Sequence, residues 1–266
     1  MRGRTGHLVW YRTGEGAAEV AFLHGFSDSA QCWDPVIRAL PDVRTLAIDA
    51  RGHGESGLPE EPIRYTAHRD DAALVLSDQP PNDGVVVVGH SMGAMAAAYL
   101  AAARPDLVRA VVLEDPPPGA PGNHPDEPWS EPDWLAGLRA LDLPDRIARG
   151  RANDPGWPDD ELEPWAVSKG QVNPRLFDLT FQDAAPLTDL LAEITCPVLL
   201  IHGDPERGGL ISPEYAAQCA RAAAGEFHAA HIPNAGHSVR RDNRPQYLAA
   251  LTSFLPRSSE CASSDQ

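Results

Sequence analysis

The chain has 266 residues, 42% of them hydrophobic, which is enough to bury a sizeable core and within the size at which an α/β fold forms one domain. A formal charge of −16 with a pI near 4.9 argues against nucleic acid or an anionic membrane surface as partner, because both need basic patches. No apolar run approaches a membrane span, MRGRTGHLVWYRTG has no apolar stretch of the signal-peptide kind, and the four cysteines (Cys32, Cys196, Cys219, Cys261) show no CxxC spacing, so a cytoplasmic protein with free thiols is expected.

In chain order, HLVWYRT (7–13) alternates like a half-exposed strand, and EVAFLHG (19–25) is a short apolar run ending at His-Gly. CWDPVIRAL (32–40) has helical spacing, and VRTLAIDARG (43–52) is an apolar run that stops at a charged, Gly-rich loop. YTAHRDDAALVLSDQ (65–79) reads as a helix. GVVVVGH (84–90) is apolar at every valine, as a strand covered on both faces requires. AMAAAYLAAARP (94–105) is an alanine-rich helix ended by Pro105, and VRAVVLED (108–115) is the next strand. Between Pro116 and Pro186 prolines are dense and periodicity weakens, and Trp129, Trp134, Trp157 and Trp165 cluster there. That stretch is too long for a connection, so residues 116–186 are expected to form an inserted cap between two parts of one core, 1–115 and 187–266. CPVLLIHGD (196–204) resumes the buried-strand pattern, SPEYAAQCARAA (212–223) opens with a helix signal, EFHAAHIPNAGH (226–237) gives a last strand and loop, and PQYLAALTSFL (245–255) a closing helix. The tail PRSSECASSDQ is polar and expected to fray.

Strands alternating with helices imply a mostly parallel sheet wrapped on both faces, with the active site at the carboxyl ends of its strands. The unusual loops fall at those ends. Gly89-His90-Ser91-Met92-Gly93 lies between an all-apolar strand and a helix, the setting of a nucleophile elbow, so Ser91 is the candidate nucleophile. The base should come from a late loop, and His237 in NAGHSVRRD fits better than the histidines inside or beside strands. The acid that orients the imidazole is sought among strand-end carboxylates: Asp204 first, with Asp115 and Glu206 as alternatives. Two backbone N–H groups should face the developing oxyanion: that of Met92, next to the nucleophile, and that of Phe26 in His24-Gly25-Phe26.

Taken together, LHGFSDSAQCWDPVIRAL, IDARGHGES, VVGHSMGAMAAAYLAAARP and the late NAGH resemble the α/β-hydrolase superfamily over roughly residues 7–256. The resemblance implies an eight-stranded, mostly parallel sheet with a helical cap after the sixth strand. It also implies the roles already given to Ser91, His237, Phe26 and Met92, and scaffold roles for Asp49, Arg51 and His53. The family's usual G-x-x-D spacing falls on Glu206, whereas Asp204 follows Gly203 directly, and some members take the acid from the end of the sixth strand, where Asp115 stands. A serine at the elbow disfavours the epoxide hydrolases and haloalkane dehalogenases, which need a carboxylate there.

The expected activity is hydrolysis of a small carboxylic ester or lactone, with the tryptophans suggesting an apolar or aromatic substrate. A carbon–carbon bond hydrolase, a cofactor-free perhydrolase and a non-catalytic ligand receptor are the alternatives on the same scaffold. No HExxH, Cys/His cluster or GxGxxG suggests a metal or cofactor, and the expected partner is a small molecule.

Overall fold

The computed structural model describes residues 1–119, 130–182 and 185–255; Trp129, Cys261 and the polar tail lie outside them. In chain order the core elements before the long insertion are β1 (Arg2–Thr5), β2 (Leu8–Arg12), β3 (Val20–Leu23), α1 (Asp34–Arg38), β4 (Thr45–Ile48), β5 (Ile63–Arg64), α2 (Tyr65–Ser77), β6 (Val85–His90), α3 (Met92–Ala103) and β7 (Val108–Glu114). The insertion contributes α4 (Asp133–Arg139), α5 (Leu143–Asn153), α6 (Asp159–Gln171) and β8 (Phe181–Gln182). The chain then continues through α7 (Leu187–Leu191), β9 (Val198–His202), α8 (Pro213–Ala222), β10 (Phe227–His231), α9 (Val239–Asp242) and α10 (Arg244–Phe254).

Eight strands form one sheet in the order β1-β2-β4-β3-β6-β7-β9-β10. Only the β1–β2 and β2–β4 pairs are antiparallel; every pair from β4 to β10 is parallel. This is the eight-stranded, mostly parallel sheet expected from the sequence. The VVVV run explains itself in the packing. Side chains alternate across a strand, so Val85 and Val87 enter one core with the alanines of α3, while Val86 and Val88 enter the other with Trp33, Val36 and Tyr247. The alanines let α3 lie close to the sheet: Ala94, Ala97 and Ala98 are fully buried.

β1 was not expected as a strand. Its sequence RGRT is charged and carries a glycine, yet Gly3 faces Trp10, and a Cβ there would stand 2.2 Å from the indole ring. An edge strand with arginines presents charge to solvent.

Among its described residues the insertion has three α-helices where periodicity was weak. In α6 the cause is plain: Pro164 lies inside the helix, and Glu161, Ser168 and Lys169 are buried beside Leu162, Trp165 and Ala166. A helix that buries charge shows no clean apolar stripe. The insertion has its own cluster of Leu138, Trp157, Leu162, Trp165 and Ala166, and joins the core through Ile63, Leu135, Val172 and Leu176 and through the parallel β5–β8 pair. Among the described residues, no helix is long and apolar enough to cross a membrane.

Candidate active site

The turn from β6 to α3 holds Ser91 at φ 52°, ψ −116°, a backbone conformation that costs a non-glycine residue about 1–3 kcal/mol. Two glycines make that turn possible. A Cβ on Gly89 would lie 2.2 Å from the Gly93 carbonyl oxygen, and one on Gly93 would lie 2.3 Å from the Leu23 carbonyl oxygen. The strained turn is therefore packed against the backbone of β3, and it lifts the serine hydroxyl off the end of the sheet. Met92 is the first residue of α3, where helix N–H groups and the positive end of the helix dipole are directed. Gly25 lies against the same point: a Cβ there would stand 3.2 Å from Ser91 Cβ and 2.6 Å from His90 Nδ1. This brings the His24-Gly25-Phe26 loop beside Ser91.

His237 arrives from the loop after β10. Its Nε2 lies 3.0 Å from Ser91 Oγ, and its Nδ1 lies 2.6 Å from Asp115 Oδ2. The loop is held at both ends. Gly236 donates its N–H to Asp242 Oδ2 at 2.7 Å, Asn234 adopts φ 63°, and His90 donates Nε2–H to the His237 carbonyl at 3.0 Å. Burial, with help from the nearby Arg240 and His237, keeps the His90 imidazole well below its ordinary pKa, so it is neutral and its bare Nδ1 faces Gly25. The His90 and His237 rings lie against each other with centroids 4.8 Å apart and planes tilted by 41°.

The carboxylate behind His237 is Asp115, and this corrects the first choice made from the sequence. Asp204 Oδ1 lies 2.6 Å from His231 Nε2, and Asp204 Oδ2 accepts the Asn234 N–H at 2.8 Å, so it pins the loop after β9 to the end of β10. Glu206 is exposed in a short turn over Pro205–Arg207. The reason lies in strand order. β7 is the direct neighbour of β6, His90 pairs with Glu114, and Ser91 donates its N–H to the Glu114 carbonyl, so Asp115 follows the strand adjacent to the serine. β9, which Asp204 follows by two residues, is one strand further away. Asp115 is completely buried with φ 41°, and its carboxylate also accepts the Leu210 N–H at 2.9 and 3.1 Å and the Ile211 N–H at 3.4 Å. Three donors, one imidazole N–H and two backbone N–H groups, converge on one buried carboxylate, which satisfies it and fixes its orientation.

The other residues singled out from the sequence do scaffold work. Asp49 accepts the N–H groups of Ala30 and Glu55 at 2.7 and 2.9 Å, and Arg51 pairs with Asp71 at 2.7 and 2.9 Å. His24 accepts the Ala50 N–H at 2.9 Å, tying the loop after β3 to the one after β4. Burial drives His53 down to about 3, so it too is neutral; its ring packs edge-on to Phe26.

A cavity of about 280 Å³ opens over Ser91 and His237, lined by Phe26, Ser27, Trp134, Trp157, Trp165 and Ser238 among others. Its wall also contains a buried charge network with no signature in the sequence. Asp28, on the loop after β3, meets Lys169 of α6 at 2.8 Å and Arg240 and Arg241 of α9 at 2.9 Å each. Arg240 continues to Glu114 and Arg241 to Glu161. Burial opposes the charge on Asp28, but Arg241, Lys169 and Arg240 outweigh it and hold the carboxyl well below its usual range. The three partners of Asp28 lie 141, 212 and 213 residues away in the chain, so only the fold reveals them. No cluster of three or more metal-ligating side chains is found among the described residues.

Residues 20–251 match the model of the alpha/beta hydrolase family. Esterase Rv0045c of Mycobacterium tuberculosis is 30% identical over 94% of this chain and 86% of its own length. Its crystal structure superposes with a TM-score of 0.74 at 25% identity, covering 96% of this chain and 90% of that one. Lipase LipV of the same organism is 42% identical but over only 38% of this chain and 38% of its own length, and a Bacillus subtilis relative is likewise matched over 39% of its length.

Proposed function

The chain belongs to the alpha/beta hydrolase family, and from this premise we propose that it is a serine hydrolase that cleaves a small carboxylic ester or lactone through an acyl-enzyme. One observation carries the reading: the unbroken line from Asp115 through His237 to Ser91, at 2.6 and 3.0 Å. In this reading Asp115 holds the Nδ1–H tautomer of His237, leaving Nε2 as the base that faces the hydroxyl. Ser91 Oγ attacks the substrate carbonyl carbon as its proton passes to His237 Nε2. The tetrahedral oxyanion is stabilised by the backbone N–H groups of Met92 and Phe26, each such donor contributing about 3–4 kcal/mol. Collapse expels the alcohol, which takes the proton from Nε2. Water, deprotonated by the same nitrogen, then releases the acid and regenerates the serine.

Residues 116–186 serve in this reading as a cap, with Trp134, Trp157 and Trp165 enclosing the substrate's carbon frame. The similarity to an esterase over nearly the full chain supports ester cleavage. Turnover of 4-nitrophenyl acetate and butyrate tests it: the wild type hydrolyses both and S91A neither. A correctly folded S91A with wild-type turnover overturns the proposal.

A further inference from the structure

The cavity over Ser91 contains a chemistry that simple ester cleavage leaves unused. Asp28, Lys169 and Arg241 all line it, although each side chain is only 3% exposed. Charges buried this far persist only when paired and hydrogen-bonded, so their donors can be accounted for one by one. Lys169 has three N–H donors, and all are engaged: by Ser27 O at 3.0 Å, Asp28 Oδ1 at 2.8 Å and Ser168 Oγ at 3.4 Å. Asp28 Oδ2 accepts from both Arg240 and Arg241 at 2.9 Å. Arg241 differs from Lys169. Its Nη2 is held by Asp28 and its Nε by Glu161 at 3.3 Å, yet a guanidinium has five donors. Nη1 has no hydrogen-bond partner among the described residues and is not sealed from solvent.

Arg241 is therefore fixed on one edge and without a partner among the described residues on the other. Trp157 supports it further, with the guanidinium carbon 5.1 Å from the ring centre. Two cations and one carboxylate face the cavity, while the balancing Glu114 and Glu161 stand behind its wall. A rigid guanidinium with a free edge in such a site is complementary to a carboxylate. The geometry points to an anion-recognition subsite: Arg241, with Lys169 beside it, receives a carboxylate of the substrate, so the ester that Ser91 attacks carries a negative charge on its acyl or its alcohol half. The carboxylate remains unreacted; only the ester bond is broken. At −16 the chain repels anions at long range, so the selection is made at this short-range contact. This assignment rests on Ser91 being the nucleophile.

The test compares kcat/KM for the 4-nitrophenyl hemiesters of succinic, glutaric and adipic acids with the neutral 4-nitrophenyl alkanoates of equal chain length, corrected for uncatalysed hydrolysis. A second series compares acetyl esters of hydroxy acids with acetyl esters of the matching alcohols. The subsite predicts an anionic preference of about tenfold to a hundredfold in one series. In Arg241→Gln the anionic-to-neutral ratio falls toward one; reading the ratio cancels any general loss of activity. Should that variant fail to fold, competitive inhibition of the wild type by adipate against adipamide gives the same answer, with the dianion binding at least tenfold tighter. Efficient neutral-ester turnover with no anionic preference in either series, or equal inhibition by adipate and adipamide, overturns the subsite and leaves the serine-hydrolase reading intact. No turnover of any ester overturns that reading and the subsite with it.

Discussion

Replacing Asp115 by asparagine changes one oxygen to an NH2 group and tests the position of the acid. In the native site the carboxylate accepts His237 Nδ1–H at 2.6 Å on Oδ2 while its two oxygens also accept the Leu210 N–H at 2.9 and 3.1 Å. Asparagine has a single acceptor oxygen, and the fixed backbone N–H groups of Leu210 and Ile211 claim it, because an NH2 group cannot accept from them. The NH2 then faces His237 and donates to Nδ1, which moves the ring proton to Nε2. That proton points at Ser91 Oγ across 3.0 Å, and the imidazole can no longer accept from the hydroxyl. A wrong tautomer of this kind lowers kcat by roughly 10³–10⁴, or about 4–5 kcal/mol of barrier. Asp204→Asn is the control. Asp204 is a quarter exposed, and its partner His231 lies outside the cavity, so kcat changes less than about threefold. Steady-state kinetics on 4-nitrophenyl acetate, with circular dichroism to establish folding, compares the two. A large loss in D204N together with near-native activity in D115N refutes this assignment of the acid.

Three further outcomes follow from the packing and the charges. Gly89→Ala places a Cβ 2.2 Å from the Gly93 carbonyl oxygen, so the elbow must shift; a wild-type-like kcat in this variant contradicts the close packing. Lys169→Met removes one partner of the buried Asp28, leaving two arginines, and costs about 3 kcal/mol. Calorimetry should then show Tm lower by roughly 6–10 °C, and an unchanged Tm contradicts the pairing. Burial holds His24, His68 and His90 below their ordinary pKa and His53 at about 3. The unfolded chain protonates these rings near pH 6.5, so it binds more protons than the folded one, and stability present above about pH 6.5 is lost as pH falls below it. With four rings the slope reaches at most roughly 5 kcal/mol per pH unit. Thermal melts between about pH 7 and pH 4 should show Tm dropping steeply, and a flat profile contradicts the neutral burial of these histidines.

β2, β3, β4, β6, β7, β9, β10 and most core helices were legible because each carried a local pattern. VVVV needs apolar cover on both faces, and the alanines of α3 need a close neighbour; both demands are met in the sheet. Ser91 and His237 were legible because glycines mark the tight turns that carry them. The acid was not. Strand-end position put Asp204 ahead of Asp115 and Glu206, whereas the order of strands in the sheet brings Asp115 to His237, and no local pattern encodes that order. The charge network was illegible for a related reason: Asp28, Lys169 and Arg241 each look like ordinary surface residues until α6 and α9 bring them together. β1 was missed because an edge strand built of RGRT relies on Trp10 and a backbone partner rather than on apolar side chains.

The central claim, that Ser91 is a nucleophile activated by His237, is tested most directly by reacting the folded protein with a fluorophosphonate and locating the adduct by peptide mass spectrometry. One phosphonyl group per chain is expected, on Ser91, formed at a rate that falls steeply in H237A and absent in S91A. Protein that hydrolyses esters yet bears the label on another residue, or no label at all, contradicts it.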